Sequence, residues 1–174
     1  MAHYHNVHVG VSRAIEIALA GAHTVAFVAS KETVEAFGLE SLQEDVLLIT
    51  RQCRVRLFRE SSYAKADMVV ELADFSMDSF WLSYDERTES FSEIDTRTSN
   101  VNQDQKLKIK DRSTTESLLK TVKERLNLTI NAIEKILKVA NTIAKLDGAS
   151  EIRLEHVAEA IQYRSIDREE MVVL

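Results

Sequence analysis

The sequence predicts an α/β core of about three apolar strands followed by a bundle of three helices, so that the chain as a whole is α+β. Two observations predict this fold. In the first part of the chain, short runs rich in β-branched residues alternate with helical patterns, which favours parallel strands joined by crossovers. In the last part, apolar residues recur at helical spacing between residues that commonly cap helices, which indicates a small helical bundle.

The first part of the chain is expected to begin with a helix. Ser12 is a residue type that caps helices, and the apolar pattern after it predicts a helix to about Ala20, which Gly21 ends. A second, short helix is expected over residues 31–37. The three strands are predicted at residues 23–29, 45–50 and 68–72.

The last part of the chain predicts three helices with clear boundaries. The hydroxyl-bearing residues 113–115 open the first helix, which runs to about Leu126. Thr129 caps the longest helix, and Gly148 ends it by supplying a left-handed residue at low cost. The third helix is expected over residues 155–163. The inward stripe of the longest helix comprises Ile133, Ile136, Leu137, Ala140, Ile143 and Ala144.

Charge and composition divide the chain into segments. Residues 1–105 hold 9 basic and 17 acidic residues, residues 106–145 hold 10 and 4, and residues 146–174 hold 3 and 7. The sequence becomes polar near residue 98, which is typical of a linker. The predicted organisation is a reduced core at 1–97, a polar and basic linker at 98–112, a helical domain at 113–168 and a tail at 169–174.

The basic surface of the helical domain is the charge feature that suggests a partner. A solvated helix face is the plainer interpretation, and contact with an acidic protein surface or with DNA phosphates is the sharper one. The acidic first part of the chain makes pairing between proteins the better fit. The candidate interaction surface comprises Lys106, Lys108, Lys110, Arg112, Lys120, Lys123, Lys135, Lys138 and Lys145.

Glycine positions exclude two common nucleotide-binding loops. The sequence G-x-x-x-x-G-K-[ST] needs two glycines five residues apart, and G-x-G-x-x-G needs three at close spacing. Neither pattern is available, because the glycines are Gly10, Gly21, Gly38 and Gly148.

Other features exclude further classes of protein. The apolar run at 46–49 is far shorter than the roughly 20 residues that a membrane span needs. The first residues lack the pattern of a signal peptide, so a cytoplasmic location is expected. The single Cys53 excludes a cysteine-based zinc site. His3, His5 and His8 suggest a metal site, but alternation in a frayed strand is favoured, so no metal is expected.

The residues of the helical domain resemble a known family. They are similar to the C-terminal helical lid of magnesium-chelatase-like AAA+ ATPases, in particular of the ComM branch, which is associated with competence and DNA branch migration. The similarity is dense from about Glu116 to Arg168. It rests on Leu128-Thr129, on residues 136–144 and 146–148, and on the ending Ala-Glu-Ala-Ile-Gln-Tyr-Arg-Ser-Ile-Asp-Arg at 158–168. The resemblance implies a reduced AAA+-like core with a lid that contacts a neighbouring subunit.

The residues that hold ATP in that family are replaced here. The family's Gly-rich loop ends in Lys-Thr, and this chain has Lys31 and Thr33 as vestigial candidates, with Glu32 between them. A carboxylate there repels phosphate, and without glycines the backbone cannot cradle it. Asn131 stands where the family's lid carries a sensor arginine. These departures predict no catalytic residue, no cofactor and no ATP hydrolysis.

The function expected from the sequence is non-catalytic. The chain is predicted to be a degenerate ComM-like protein that acts as an assembly or regulatory module, by self-association or by capture of an intact AAA+ relative. Two alternatives stay open: a DNA-associated accessory protein that uses the basic lid surface, and an ATP-binding AAA+ relative with an unusual site. A DNA shift assay over a salt series distinguishes contact with phosphates from contact with protein.

Overall fold

The computed structural model describes residues 9–29, 46–50, 66–71, 91–101 and 104–164. The expected helix over 31–37, the vestigial pair Lys31 and Thr33, the first histidines and the tail at 169–174 lie outside these ranges.

Helices predominate in the described part of the chain. The first half provides α1 (Val9–Gly21), β1 (Val25–Ala29), β2 (Val46–Thr50) and β3 (Met68–Glu71). The second half provides α2 (Phe91–Thr98), β4 (Lys108–Ile109), α3 (Arg112–Leu126), α4 (Ile130–Leu146), β5 (Glu151–Ile152) and α5 (Leu154–Gln162). None of the described helices combines the length and the apolar character that crossing a membrane requires.

The described strands of the first half form a parallel sheet in the order β2-β1-β3, as the apolar runs predict. Phe27 in the central strand lies opposite Leu48 on one side and Val70 on the other. At the β3 edge, the Val69 N–H donates to the Tyr163 carbonyl at 2.8 Å. The end of α5 therefore satisfies part of the outer edge of this sheet.

Helix α1 begins earlier than the sequence predicts. It starts at Val9, so the expected cap at Ser12 is wrong, and Ser12 lies buried inside the helix. Burial of Val11, which is 2% exposed, accounts for the extra turn. The helix ends at Gly21 as expected, but the left-handed residue that follows is Ala22, with φ 48°.

The helical domain confirms one predicted cap and corrects another. Asp111 caps α3 in place of residues 113–115, because its carboxylate accepts from the Thr114 N–H at 3.0 Å and from the Thr114 hydroxyl at 2.6 Å. Thr129 caps α4 as predicted, accepting from the Ala132 N–H. Gly148 takes the predicted left-handed conformation, with φ 64°.

A short parallel pairing inside the helical half was not predicted. Lys108 and Ile109 of β4 lie opposite Glu151 and Ile152 of β5. The Lys110 N–H extends the pairing by donating to the Ile152 carbonyl at 2.9 Å. The basic end of the predicted linker is therefore fixed onto the helical domain.

Among the described residues, one hydrophobic core joins the two halves. Helix α1 packs on α4, and the buried cluster includes Ile17 and Phe27 from the first half together with Ile136, Ile143 and Val157 from the second. All five side chains are completely shielded from solvent. The described helical domain is consequently docked on α1 and the strands rather than held apart by its linker.

Candidate functional site

The junction between the two halves contains a buried polar cluster. His23 precedes β1, and its Nε2 lies 2.7 Å from the Thr142 hydroxyl on α4. Its Nδ1 lies 3.6 Å from an Asp67 carboxylate oxygen just before β3. Lys138 of α4 donates to the same oxygen at 3.1 Å, and the Thr24 N–H donates to it at 3.2 Å. The cluster therefore ties α4 to the start of two strands.

Asp67 is charged in this environment. Burial by itself raises the pKa of a carboxyl group, but the contacts with His23 and Lys138 outweigh it and hold the pKa of Asp67 well below its usual range. Beside it, the Ala66 carbonyl accepts from Lys135 at 3.0 Å and from Arg164 at 2.8 Å. Lys138 thus neutralises Asp67, and Lys135 and Arg164 bind the neighbouring carbonyl, so that cations of the helical domain hold the segment that leads into β3.

The order hydroxyl, imidazole and carboxylate in this cluster has the connectivity of a catalytic triad. The exposure of its members argues against that role, because Thr142 is 4% exposed and His23 is 3% exposed. The Thr142 hydroxyl also lies 3.4 Å from the Lys138 carbonyl within its own helix. A substrate has no path to a nucleophile packed in this way, so the cluster is structural.

A second ionic cluster joins the helices around Arg13. The Arg13 guanidinium on α1 contacts Glu159 of α5 at 2.9 Å, Glu16 at 2.8 Å and Asp147 at 3.1 Å. Burial opposes the charged form, but the hydrogen bonds with Glu159 and Glu16 raise the pKa of Arg13 above its ordinary value. Arg97 of α2 binds Glu16 from the other side at 2.9 Å.

An open cleft lies between α3, α4 and β4, with a volume of about 760 Å³. Its floor is aliphatic: Leu119 is buried, Ile133 and Leu137 are half-buried, and Ile130 at the start of α4 is 63% exposed. An exposed isoleucine beside an open aliphatic floor is typical of a contact surface rather than of a core. The complete lining comprises Lys106, Leu107, Lys108, Ile109, Arg112, Thr115, Glu116, Leu119, Lys120, Lys123, Ile130, Ile133 and Leu137.

Basic side chains dominate the rim of the cleft. Five lining residues are basic and one, Glu116, is acidic. Within the part of the chain that the structure describes, none of these five cations forms an ion pair with a carboxylate. A low-dielectric floor beside unneutralised cations concentrates positive potential in the cleft. The five are Lys106, Lys108, Arg112, Lys120 and Lys123.

The cleft is positioned by two local devices. On α3, Arg112, Lys120 and Lys123 recur at helical spacing and therefore lie on one face. On the opposite wall, the Asn141 side chain accepts from the Leu107 N–H at 2.8 Å and donates to the Gln105 carbonyl at 3.1 Å. Together with the β4–β5 pairing, these bonds hold the basic segment against α4.

The structure separates the nine residues of the predicted interaction surface into groups. Five of them line the cleft. Lys135 and Lys138 bind the segment before β3 and belong to the junction. Lys110 is exposed and does not line the cleft. Lys145 is half-buried, and burial lowers its pKa although the charge of Asp104 raises it. Asn131 lies exposed at the second position of α4 and does not line the cleft.

Sequence reasoning missed the apolar half of the site. The alternation of Lys106, Leu107, Lys108, Ile109 and Lys110 has the period of a strand, and that signal was available. The contact of His23 with Thr142 spans 119 residues and leaves no local pattern to find. Among the described residues, no group of three or more His, Cys, Asp or Glu side chains is arranged to hold a metal ion.

A comparison with protein families identifies the class of this part of the chain. Residues 84–164 match the family described as "Magnesium chelatase, subunit ChlI C-terminal". This range contains α2 to α5 and the whole cleft. The helical half is therefore magnesium-chelatase-like, which confirms that level of the resemblance seen in the sequence.

Two curated relatives are similar to a short stretch of this chain. Proteins named "Uncharacterized protein YifB" from Salmonella typhimurium (strain LT2) and Escherichia coli (strain K12) are each 49% identical to this chain over 43 residues. That stretch is 25% of this chain and only 8% of the length of either relative. No solved structure matches the chain.

Proposed function

We propose that this chain is a non-catalytic, degenerate member of the ComM branch of magnesium-chelatase-like AAA+ proteins, and that it acts as an assembly or regulatory module through protein–protein contacts. The observation that carries the proposal is the cleft of the helical domain. Its aliphatic floor and its basic rim form a surface suited to recognition, which the described residues leave open and without ion pairs to the rim. The match of residues 84–164 to the magnesium chelatase C-terminal family supports the class.

The sequence supports the non-catalytic part of the proposal. No two glycines have the spacing of a phosphate loop, and Glu32 separates the vestigial Lys31 and Thr33. Removing one transition-state contact typically costs about 10²–10³ in rate, and several contacts are replaced together here. We therefore expect the chain to act by binding a protein partner and not by binding a nucleotide.

Calorimetry with ATP and Mg²⁺ tests the non-catalytic part. We expect no binding heat and no release of phosphate. A micromolar dissociation constant, or phosphate release that Lys31→Ala abolishes, would support the ATP-binding alternative instead. The matched control is Lys110→Ala, because Lys110 is exposed and lies outside the proposed sites.

A DNA shift assay over a salt series tests the nucleic-acid alternative. A protein that binds DNA through phosphates loses affinity steeply as salt rises. The logarithm of its binding constant falls by about one for each neutralised phosphate when the salt concentration rises tenfold. We expect only weak, nonspecific retention that disappears near physiological salt. Tight binding that Lys120→Glu abolishes would favour the DNA-associated role over the protein-contact role.

A further inference from the structure

We propose that the cleft between α3 and α4 binds residues 165–174 of a second copy of this chain. The inference rests on the proposed function, because it names the partner and the segment through which the module self-associates. It starts from the chemistry of the cleft, which combines an aliphatic floor with five basic side chains on its rim. A matching ligand must carry carboxylates and aliphatic side chains close together.

The floor favours a protein segment over a nucleic acid. Proteins that hold single strands stack the bases on aromatic side chains. The lining of the cleft contains no Phe, Tyr or Trp, and its floor is built from branched aliphatic residues such as Leu119, Ile133 and Leu137. Such a surface buries aliphatic side chains well and offers bases no platform.

Residues 165–174 have the required chemistry. The sequence Ser-Ile-Asp-Arg-Glu-Glu-Met-Val-Val-Leu contains three acidic residues and one basic residue, followed by four consecutive apolar residues. Glu169 and Glu170 stand directly before the apolar run. One short stretch can therefore place carboxylates on the basic rim and aliphatic side chains on the floor.

The position of Arg164 indicates that the segment comes from a second copy. Arg164 is buried and donates to the Ala66 carbonyl, which Lys135 of α4 also binds. Lys135 is two residues from both Ile133 and Leu137, so it projects from nearly the opposite side of α4 to the cleft. Arg164, the residue before the segment, therefore binds on the far side of this helix.

Reaching the cleft of its own chain would use about half of the segment and two of its three acidic residues. Half the circumference of a helix about 10–12 Å across is roughly 16–19 Å, which takes about five extended residues at about 3.3–3.6 Å each. Asp167 and Glu169 would then lie on the crossing instead of at the rim. A second copy has no such constraint, and contact between different surfaces of two copies is heterologous.

A synthetic peptide of residues 165–174, labelled with a fluorophore, tests the inference by anisotropy against the full chain. We expect binding that weakens on the order of tenfold or more when Lys120→Glu and Lys123→Glu are combined, and that falls with salt. A peptide with both Glu169 and Glu170 changed to Lys should lose binding to the same extent. The matched control combines Lys110→Glu with Arg125→Glu, which are exposed residues outside the cleft.

A charge swap makes the test specific. The peptide with Lys at 169 and 170 should regain binding to the chain that carries Lys120→Glu and Lys123→Glu. Circular dichroism of each variant verifies that the helices are intact. Restored binding supports the inference when the full chain also associates, whereas restored binding to a chain that stays monomeric contradicts a second copy as the source of the segment.

Three results would overturn the inference: no peptide binding, equal binding by the cleft and control variants, or displacement of the peptide by a single-stranded oligonucleotide that binds more tightly. In the first two cases the proposed function survives if the full chain still associates with itself. Failure of both peptide binding and association contradicts the self-association on which this inference rests.

Discussion

Gly21 is required by space and not by its backbone conformation. It lies at the end of α1 in helical conformation, and a Cβ built there would collide with the His23 ring and the Thr142 hydroxyl. The neighbouring Ala22 is the residue that adopts a positive φ. Two adjacent small residues therefore have separate roles at the junction.

We predict that Gly21→Ala destabilises the fold by about 1–3 kcal/mol, the usual cost of overpacking a buried site. Ala22→Gly is the matched control. It should be neutral or stabilising, because glycine adopts positive φ without strain. Urea denaturation followed by circular dichroism measures both. Equal stability of Gly21→Ala and the wild-type chain would mean that the His23–Thr142 contact does not form.

The charge state of Asp67 determines how we expect the free energy of unfolding to depend on pH. Its pKa is depressed in the folded state, so its contribution is complete above the unfolded pKa of about 4 and is lost as the pH falls toward the folded pKa. Asp67→Asn should cost about 1–3 kcal/mol near neutral pH, because charge-assisted hydrogen bonds are weakened.

Denaturation midpoints between pH 2.5 and pH 7 test this prediction. The difference between wild type and Asp67→Asn should be constant near neutral pH and should shrink below about pH 4. Glu124→Gln, on an exposed part of α3, is the control and should leave the profile unchanged. A difference that grows in acid would contradict the assigned charge state of Asp67.

At the scale of elements, α4 connects the described structure. One face of it meets α1, another meets α5, and a third forms a wall of the cleft. The predicted stripe is confirmed at Ile136, Ala140, Ile143 and Ala144, which are buried. Ile133 and Leu137 belong to the stripe in spacing but are only half-buried, because they face the cleft.

We predict that Ile136→Ala costs about 2–5 kcal/mol, because its side chain is completely buried and leaves a cavity. Ile130→Ala is the control on the same helix, and it should change stability by less than about 0.5 kcal/mol since Ile130 is 63% exposed. Urea midpoints at equal slope measure the pair. Similar losses at both positions would show that α4 is oriented differently.

Local sequence signals were sufficient to predict the cap at Thr129, the left-handed residue Gly148 and the parallel apolar strands, because each of these signals lies within a few residues. Ser12 was mistaken for a cap, since burial of Val11 extends α1 by a turn and no local pattern records that burial. Long-range contacts such as His23 with Thr142 require the fold itself.

The cleft illustrates the same limit at a functional surface. The basic residues were predictable as a group, but which of them act together was not. Their separation into cleft and junction depends on which side of α4 faces β3, as the bonds from Lys135 and Lys138 show. Basic residues that lie close together in the sequence therefore need not lie on the same surface.

At the scale of the whole molecule, the two halves share one core and two ionic clusters. The core includes residues from α1 and from α4, and Arg13 links α1 to α5. The five cations on the rim of the cleft lie outside these contacts, but Leu119 of its floor belongs to the core. Variants of the exposed cations on the rim should therefore leave stability almost unchanged, whereas truncation of Leu119 on the floor should destabilise the fold.

Light scattering of the full chain over a range of concentrations, with and without ATP and Mg²⁺, tests the proposed protein contacts most directly. We expect a mass that rises with concentration, is insensitive to ATP and returns to that of a monomer when Lys120→Glu is combined with Lys123→Glu. The variant with Lys110→Glu and Arg125→Glu should still associate. A particle that stays monomeric at every concentration would contradict the proposed self-association, and association that requires ATP would contradict the nucleotide-independent role.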